Sequence, residues 1–181
     1  MTATGIFRLS ERVFRPWKNG GGQTAEIVVS PAGAGFEDFD WRISTAIVAT
    51  SGPFSAFPGI DRVLTVLEGG AMALTVGDRE RRLDAESEPF AFSGDAPAAA
   101  RLEGPALLDF NVMVRRPLTA TVVRGPLDLG RRAAGQQARL ALLLEGRAGL
   151  ARLDLMDLGA AAPERVSALA GAPVLDVLIA G

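Results

Sequence analysis

Arg62 follows directly on Phe54-Ser55-Ala56-Phe57-Pro58-Gly59-Ile60-Asp61, a stretch whose aromatic rings and proline make a rigid, partly apolar wall. A guanidinium set in such a wall suits a carboxylate. Its planar fork donates two parallel charge-assisted hydrogen bonds, and it keeps its charge when partly desolvated. A second polar group comes from Asp109-Phe110-Asn111-Val112-Met113-Val114, where strand alternation sets Asp109, Asn111 and Met113 against Phe110, Val112 and Val114. Asn111 is then a polar contact for whatever Arg62 holds.

In Trp17-Lys18-Asn19-Gly20-Gly21-Gly22-Gln23-Thr24 consecutive glycines strip side chains from a loop entering a strand, so backbone N–H groups are able to approach an anion. The same run also describes a tight turn, and it lacks the Gly-Lys-Ser/Thr ending of a phosphate-binding loop. Beyond it, Thr24 and Glu26 share a strand face, and Arg42 and Ser44 share a face of the next strand. Glu26 and Arg42 also fit a plain salt bridge between strands. The leading expectation is a ligand pocket formed by Trp17, Asn19, Gly20, Gly21, Thr24, Trp41, Arg42, Ser44 and Phe57, with Arg62 as anchor and Asn111 beside it. A rival is a metal-free enzyme in which Glu26 or Asp109, its pKa raised by burial, is a general base and Arg62 or the glycine loop stabilises an oxyanion. A third possibility is a regulator that acts through its surface without a small ligand.

Composition narrows the chemistry sharply. The 181 residues include no Cys and no His. Disulfides, thiolate zinc sites, iron–sulfur clusters and cysteine nucleophiles are excluded, as are Ser-His-Asp relays, HExxH zinc sites and facial triads. No metal and no cofactor is expected. With a net charge of −2, and with Arg81-Arg82, Arg115-Arg116 and Arg131-Arg132 dispersed among acids, nucleic acid is not an expected partner. Met1 to Trp17 lacks the apolar core of a secretory signal, and Leu140 to Leu144 falls far short of the roughly 20 residues of a membrane span. The expected setting is the cytoplasm, away from membranes, with a small carboxylate metabolite as partner and a homodimer as the assembly.

The elements that must position these groups are short and β-branched: Thr24 to Val29, Trp41 to Val48, Arg62 to Leu67 and Asp109 to Val114. Turn clusters such as Ser30-Pro31-Ala32-Gly33 and Ser51-Gly52-Pro53 separate them, which predicts an all-β antiparallel sandwich or barrel. Gln137 to Leu150 has helical composition. Yet Arg62-Val63-Leu64-Thr65-Val66-Leu67-Glu68-Gly69 lies over Arg139-Leu140-Ala141-Leu142-Leu143-Leu144-Glu145-Gly146, and Leu108-Asp109-Phe110 over Leu175-Asp176-Val177. That internal match predicts a strand there, and a tandem of units at 1–117 and 118–181, the second shorter and without the polar pocket residues.

Five motifs in order resemble the HutD/Ves family: Trp17-Lys18-Asn19-Gly20-Gly21-Gly22-Gln23-Thr24, Phe39-Asp40-Trp41-Arg42-Ile43-Ser44, Gly52-Pro53-Phe54-Ser55, Phe57-Pro58-Gly59-Ile60-Asp61-Arg62 and Asp109-Phe110-Asn111-Val112-Met113. The resemblance implies a bicupin-like fold and a role as a governor of histidine utilisation, sensing urocanate or a formylated intermediate. No catalytic activity is firmly attached to the family. Ordinary cupins hold a metal on histidines and a glutamate, and this chain departs from them in having no histidine.

Overall fold

A computed structural model of the chain describes residues 4–181, which form two compact units, 13–116 and 4–12 with 117–181. Residues 4–12, placed by sequence in the N-terminal unit, belong to the other. Their strand β1 (Ile6–Phe7) pairs antiparallel with a C-terminal strand through Ile6–Met156 and Phe7–Leu155. Just beyond it, Asp154 accepts hydrogen bonds from Arg8 Nη1 at 2.9 Å and the Leu9 N–H at 2.7 Å.

The unit of 13–116 contains β2 (Arg15–Pro16), β3 (Gly22–Ser30), β4 (Trp41–Val48), β5 (Gly52–Phe54), β6 (Ile60–Val76), β7 (Arg79–Leu83), β8 (Phe90–Ser93) and β9 (Ala98–Arg115). Their path through the sheet is β2-β3-β4-β9-β6-β7, with β5 on β9 and β8 on β6. All these pairings are antiparallel. β6 and β9 run far past the cores seen in sequence, because β-bulges at Val66/Glu68 and Gly69/Ala71 let one strand change partners without ending. Gly69 enables this with φ +94, and a Cβ there would meet the Ala106 carbonyl. Val48, Leu64, Val66, Met72, Leu74, Leu83, Ala100 and Leu107 form a buried core in this unit, and Val29, Phe39, Ile60 and Met113 a second cluster.

The other unit orders its strands β1-β12-β11-β13-β10: β10 (Thr119–Pro126), β11 (Gln136–Leu143), β12 (Leu155–Asp157) and β13 (Pro173–Ala180), with a short helix α1 (Pro163–Ala168) before the last. β11 is a strand despite its Ala- and Leu-rich composition. It lies between β12 and β13, and Leu140, Ala141, Leu142 and Leu143 are all fully buried, so hydrophobic burial on both faces outweighs a weak helical preference. The fold is all-β with antiparallel sheets, as predicted. Among the described residues, no helix is long and apolar enough to cross a membrane.

Candidate functional site

Strand register assembles the polar face. On one side of β9, Ser44 lies opposite Asn111 and Ala46 opposite Asp109; on the other, Arg62 lies opposite Met113, Leu64 opposite Asn111 and Val66 opposite Asp109. Directly opposed residues share a face, so Ser44, Arg62, Asp109 and Asn111 point the same way. Glu26 and Thr24 join from β3, opposite Ser44 and Ala46.

Arg62 is buried, 7% exposed. Its Nε and Nη2 both donate to Asn111 Oδ1, at 3.3 and 3.1 Å. The rings of Phe54, Phe57 and Phe92 surround the guanidinium, with centroids 5.6, 5.5 and 5.1 Å from its central carbon. Phe92 reaches it from the directly opposed position on β8. Burial pushes the Arg62 pKa down to about 10, against the pull of Asp109, so the group is still a cation at neutral pH.

Asp109 is 1% exposed, and burial pushes its carboxyl up to about 7. The Arg62 charge, the Asn111 side chain and the Ala46 backbone N–H offset that burial only in part. Asp109 Oδ1 is buried with no hydrogen-bond partner. The site is therefore a buried cation held by a neutral amide, ringed by aromatics, next to an acid that titrates near neutrality.

The C-terminal unit makes the opposite choice on the same strand diagonal. Arg139 lies opposite Leu178 and Ala141 opposite Asp176, matching Arg62 with Met113 and Leu64 with Asn111. Asp176 thus holds the station of Asn111. The sequence alignment, which set it over Asp109, is two residues out because it followed a Leu-Asp string rather than the hydrogen-bonded pairing. Arg139 grips Asp176 with two prongs, Nε to Oδ1 at 3.1 Å and Nη2 to Oδ2 at 2.9 Å, and donates to the Arg131 and Asp128 carbonyls at 2.7 and 2.6 Å. A further bond from Arg131 Nη1 to Asp176 Oδ2 at 3.0 Å completes a closed network.

The other predicted residues divide. Trp17 Nε1 donates to Thr24 Oγ1 at 2.7 Å, and its ring meets Phe54 edge-on at 6.3 Å, placing both residues beside the Phe54 side of the cage. Gly22 permits this, since a Cβ there would press on the Trp17 ring and the Ile47 carbonyl. Asn19, Gly20 and Gly21 form a tight turn rather than an anion cradle. The Gly20 N–H goes to the Trp17 carbonyl at 3.1 Å and the Gly21 N–H to Asn19 Oδ1 at 3.0 Å, so both donors are consumed within the loop. The Gly21 carbonyl accepts from Ala49 and Thr50 at 2.9 and 3.1 Å, which fixes the turn beside the segment that leads to Phe54.

Trp41 is displaced from the site by parity: with Ile43 and Thr45 it occupies the face opposite Arg42 and Ser44. Arg42 donates to Glu26 Oε2 at 2.9 Å and lies 4.1 Å below the Phe36 ring, so both its charge and its face are occupied. Glu26 is exposed and paired, without the burial that the general-base expectation required of it. Phe57 is in the cage, and it stacks on the exposed Phe36 at 5.8 Å. Phe92 and Phe36 were missed from sequence. For Phe92, the alternation in Phe90-Ala91-Phe92 was a usable signal; for Phe36, on a loop, there was none.

Cupin metals do not fit these residues. The chain supplies neither imidazole nor thiolate, and among the described residues no cluster of three or more acids stands together.

Comparison with known proteins places this architecture. The HutD family model matches residues 10–164. Protein Ves of Escherichia fergusonii is 45% identical over 100 residues, 55% of this chain and 51% of that protein. An uncharacterized 21.2 kDa protein of the hutC 3′ region of Pseudomonas putida is 40% identical over 113 residues, covering 62% of this chain and 59% of that one. The chain thus spans about half to three-fifths of the length of these curated relatives. HutD from Pseudomonas fluorescens SBW25, solved in a formate condition, superposes with a TM-score of 0.72 at 34% identity over 97% of this chain and 92% of that one. A conserved protein of unknown function from Pseudomonas aeruginosa PAO1 gives a TM-score of 0.69 at 31% identity, over 97% and 91%. With most of its length matched by the family model and its fold shared across nearly the whole chain, this protein belongs to the HutD family.

Proposed function

We propose that the protein binds a small carboxylate at Arg62 and, through that binding, regulates histidine utilisation in response to urocanate or a formylated intermediate. The carrying observation is the contrast between the arginines. Arg139 is neutralised by a carboxylate of the protein, whereas Arg62, equally buried, is given only the neutral oxygen of Asn111. A buried cation without a direct ion pair is costly, and an external carboxylate supplies what Asp176 supplies to Arg139. The Phe54, Phe57 and Phe92 rings add an apolar surface for a flat or short-chain acid and keep the contact partly dry. Family membership and the hut-region relative favour a histidine-derived acid among the carboxylates.

A second reading is favoured by one observation: Asp109 titrates near 7 and has an unpartnered oxygen, the properties of a general base in a metal-independent enzyme. A thermal-shift screen against urocanate, formylglutamate and simple mono- and dicarboxylates separates the two. Stabilisation without turnover is expected. Turnover of a stabilising compound supports the enzyme, and no response to any carboxylate refutes binding at Arg62.

A further inference from the structure

Resting on the carboxylate-binding reading, we infer that Asp109 is a specificity-determining group of the Arg62 site: it takes up one proton as a carboxylate binds, so the site selects for a single negative charge. The argument is one of charge balance in a dry place. Arg62 and Asp109 lie in the same buried face, linked through Asn111, whose Oδ1 accepts from Arg62 and whose side chain also hydrogen-bonds Asp109. With Asp109 ionised, the empty cluster is neutral overall. A bound carboxylate would leave it with an uncompensated buried negative charge unless a proton enters with it.

Asp109 is the group able to accept that proton. Opposite it, β4 presents Ala46 with Ser44 next along that face, and β6 presents Val66, Leu64 and Arg62, so Arg62 is the facing ionisable group. On β9 itself the neighbour on that face is the neutral Asn111. Glu26 and Arg42, from β3 and β4, are paired with each other. Asp109 Oδ1 is buried and unpartnered, and the donors on that carboxyl, the Asn111 side chain and the Ala46 N–H, offset its burial only in part. The Arg62 charge opposes protonation of Asp109 in the empty site, and a carboxylate on Arg62 cancels that opposition. A second carboxylate on the ligand, brought to the same dry site, would find no cation left and no further acid to neutralise it, so within the proposed reading the site favours urocanate, with one carboxylate, over formylglutamate, with two.

The test uses the whole wild-type protein and benzoate, a flat acid that stays ionised between about pH 5.5 and 8.5. Calorimetric titrations in buffers of differing ionisation enthalpy read the protons taken up. Uptake close to one proton per benzoate is expected at about pH 8 and close to zero at about pH 5.5, with affinity falling up to about tenfold per pH unit above about 7. Asp109→Asn should abolish the uptake and flatten the profile. Binding of benzoate with no proton uptake at about pH 8 and a flat pH profile in the wild type would overturn the inference while leaving the carboxylate site standing. Absence of binding by benzoate and by aliphatic monocarboxylates at every pH would overturn both.

Discussion

Asn111 Oδ1 accepts two hydrogen bonds from Arg62, at 3.3 and 3.1 Å, on the strand diagonal where the other unit pairs Arg139 with the carboxylate of Asp176. One atom distinguishes the two arrangements, an amide nitrogen against a carboxylate oxygen. That exchange leaves Arg62 bonded to a neutral amide and binds Arg139 into an ion pair within the fold.

Asn111→Asp should therefore close the N-terminal site. The new carboxylate would take the Arg62 fork as Asp176 takes that of Arg139, and carboxylate affinity should fall at least about tenfold, roughly the loss of one charge-assisted contact. Unfolding free energy should stay within about 1.5 kcal/mol of wild type, since the added charge meets a waiting cation. Retained affinity on calorimetric titration would contradict this.

Arg139→Ala strands Asp176, 4% exposed, with Arg131 as its remaining cation and removes the donor to the Asp128 carbonyl. Denaturant unfolding should show a loss of about 3–5 kcal/mol, with carboxylate affinity unchanged in the protein that remains folded. Arg62→Ala leaves behind a neutral amide and an acid that is free to protonate, so its loss should be smaller, about 1–3 kcal/mol.

Asp109 makes stability depend on pH in a stated direction. The folded chain holds its proton up to about pH 7, whereas the unfolded chain releases it near the ordinary value of 3.8. The stabilising contribution is complete below the unfolded value and is lost as pH rises through about 7. Relative to wild type, Asp109→Asn should gain at least about 1 kcal/mol on moving from about pH 5 to about pH 8, measured by urea midpoints. A mutant-to-wild-type gap that does not move with pH would be inconsistent with a buried Asp109 whose carboxyl is pushed up to about 7.

Glu26→Gln should do little. The Glu26–Arg42 pair is partly exposed on the Glu26 side, so the loss should stay under about 1 kcal/mol and carboxylate affinity should shift less than about twofold. A large loss of binding would move Arg42 and Glu26 into the site.

The sequence carried the residue types of this site better than their orientation. Arg62, Asn111, Phe57 and Asp109 were legible because an arginine after an aromatic wall and an alternating polar face on a strand each imply a direction for the side chain. Trp41 was misplaced for want of parity: nothing in Trp41-Arg42-Ile43-Ser44 says which of two alternating faces holds the ligand until β9 fixes the register. The glycine run read equally as turn or cradle, and only the hydrogen bonds consumed by Gly20 and Gly21 decide for the turn. The pairing of β1 with β12 joins residues about 150 apart in sequence, a long-range contact that local patterning does not encode. β11 was recoverable because its likeness to β6 outweighed its helical composition.

Calorimetric titration of wild type, Arg62→Ala and Arg139→Ala with urocanate, formylglutamate and monocarboxylates tests the central claim most directly. A buried charge-assisted contact contributes on the order of 2–5 kcal/mol, enough to cost a micromolar ligand most of its affinity. Wild type and folded Arg139→Ala should bind the same carboxylate with the same affinity, and Arg62→Ala should not bind it measurably. Undiminished binding by Arg62→Ala would contradict the assignment of Arg62 as the anchor.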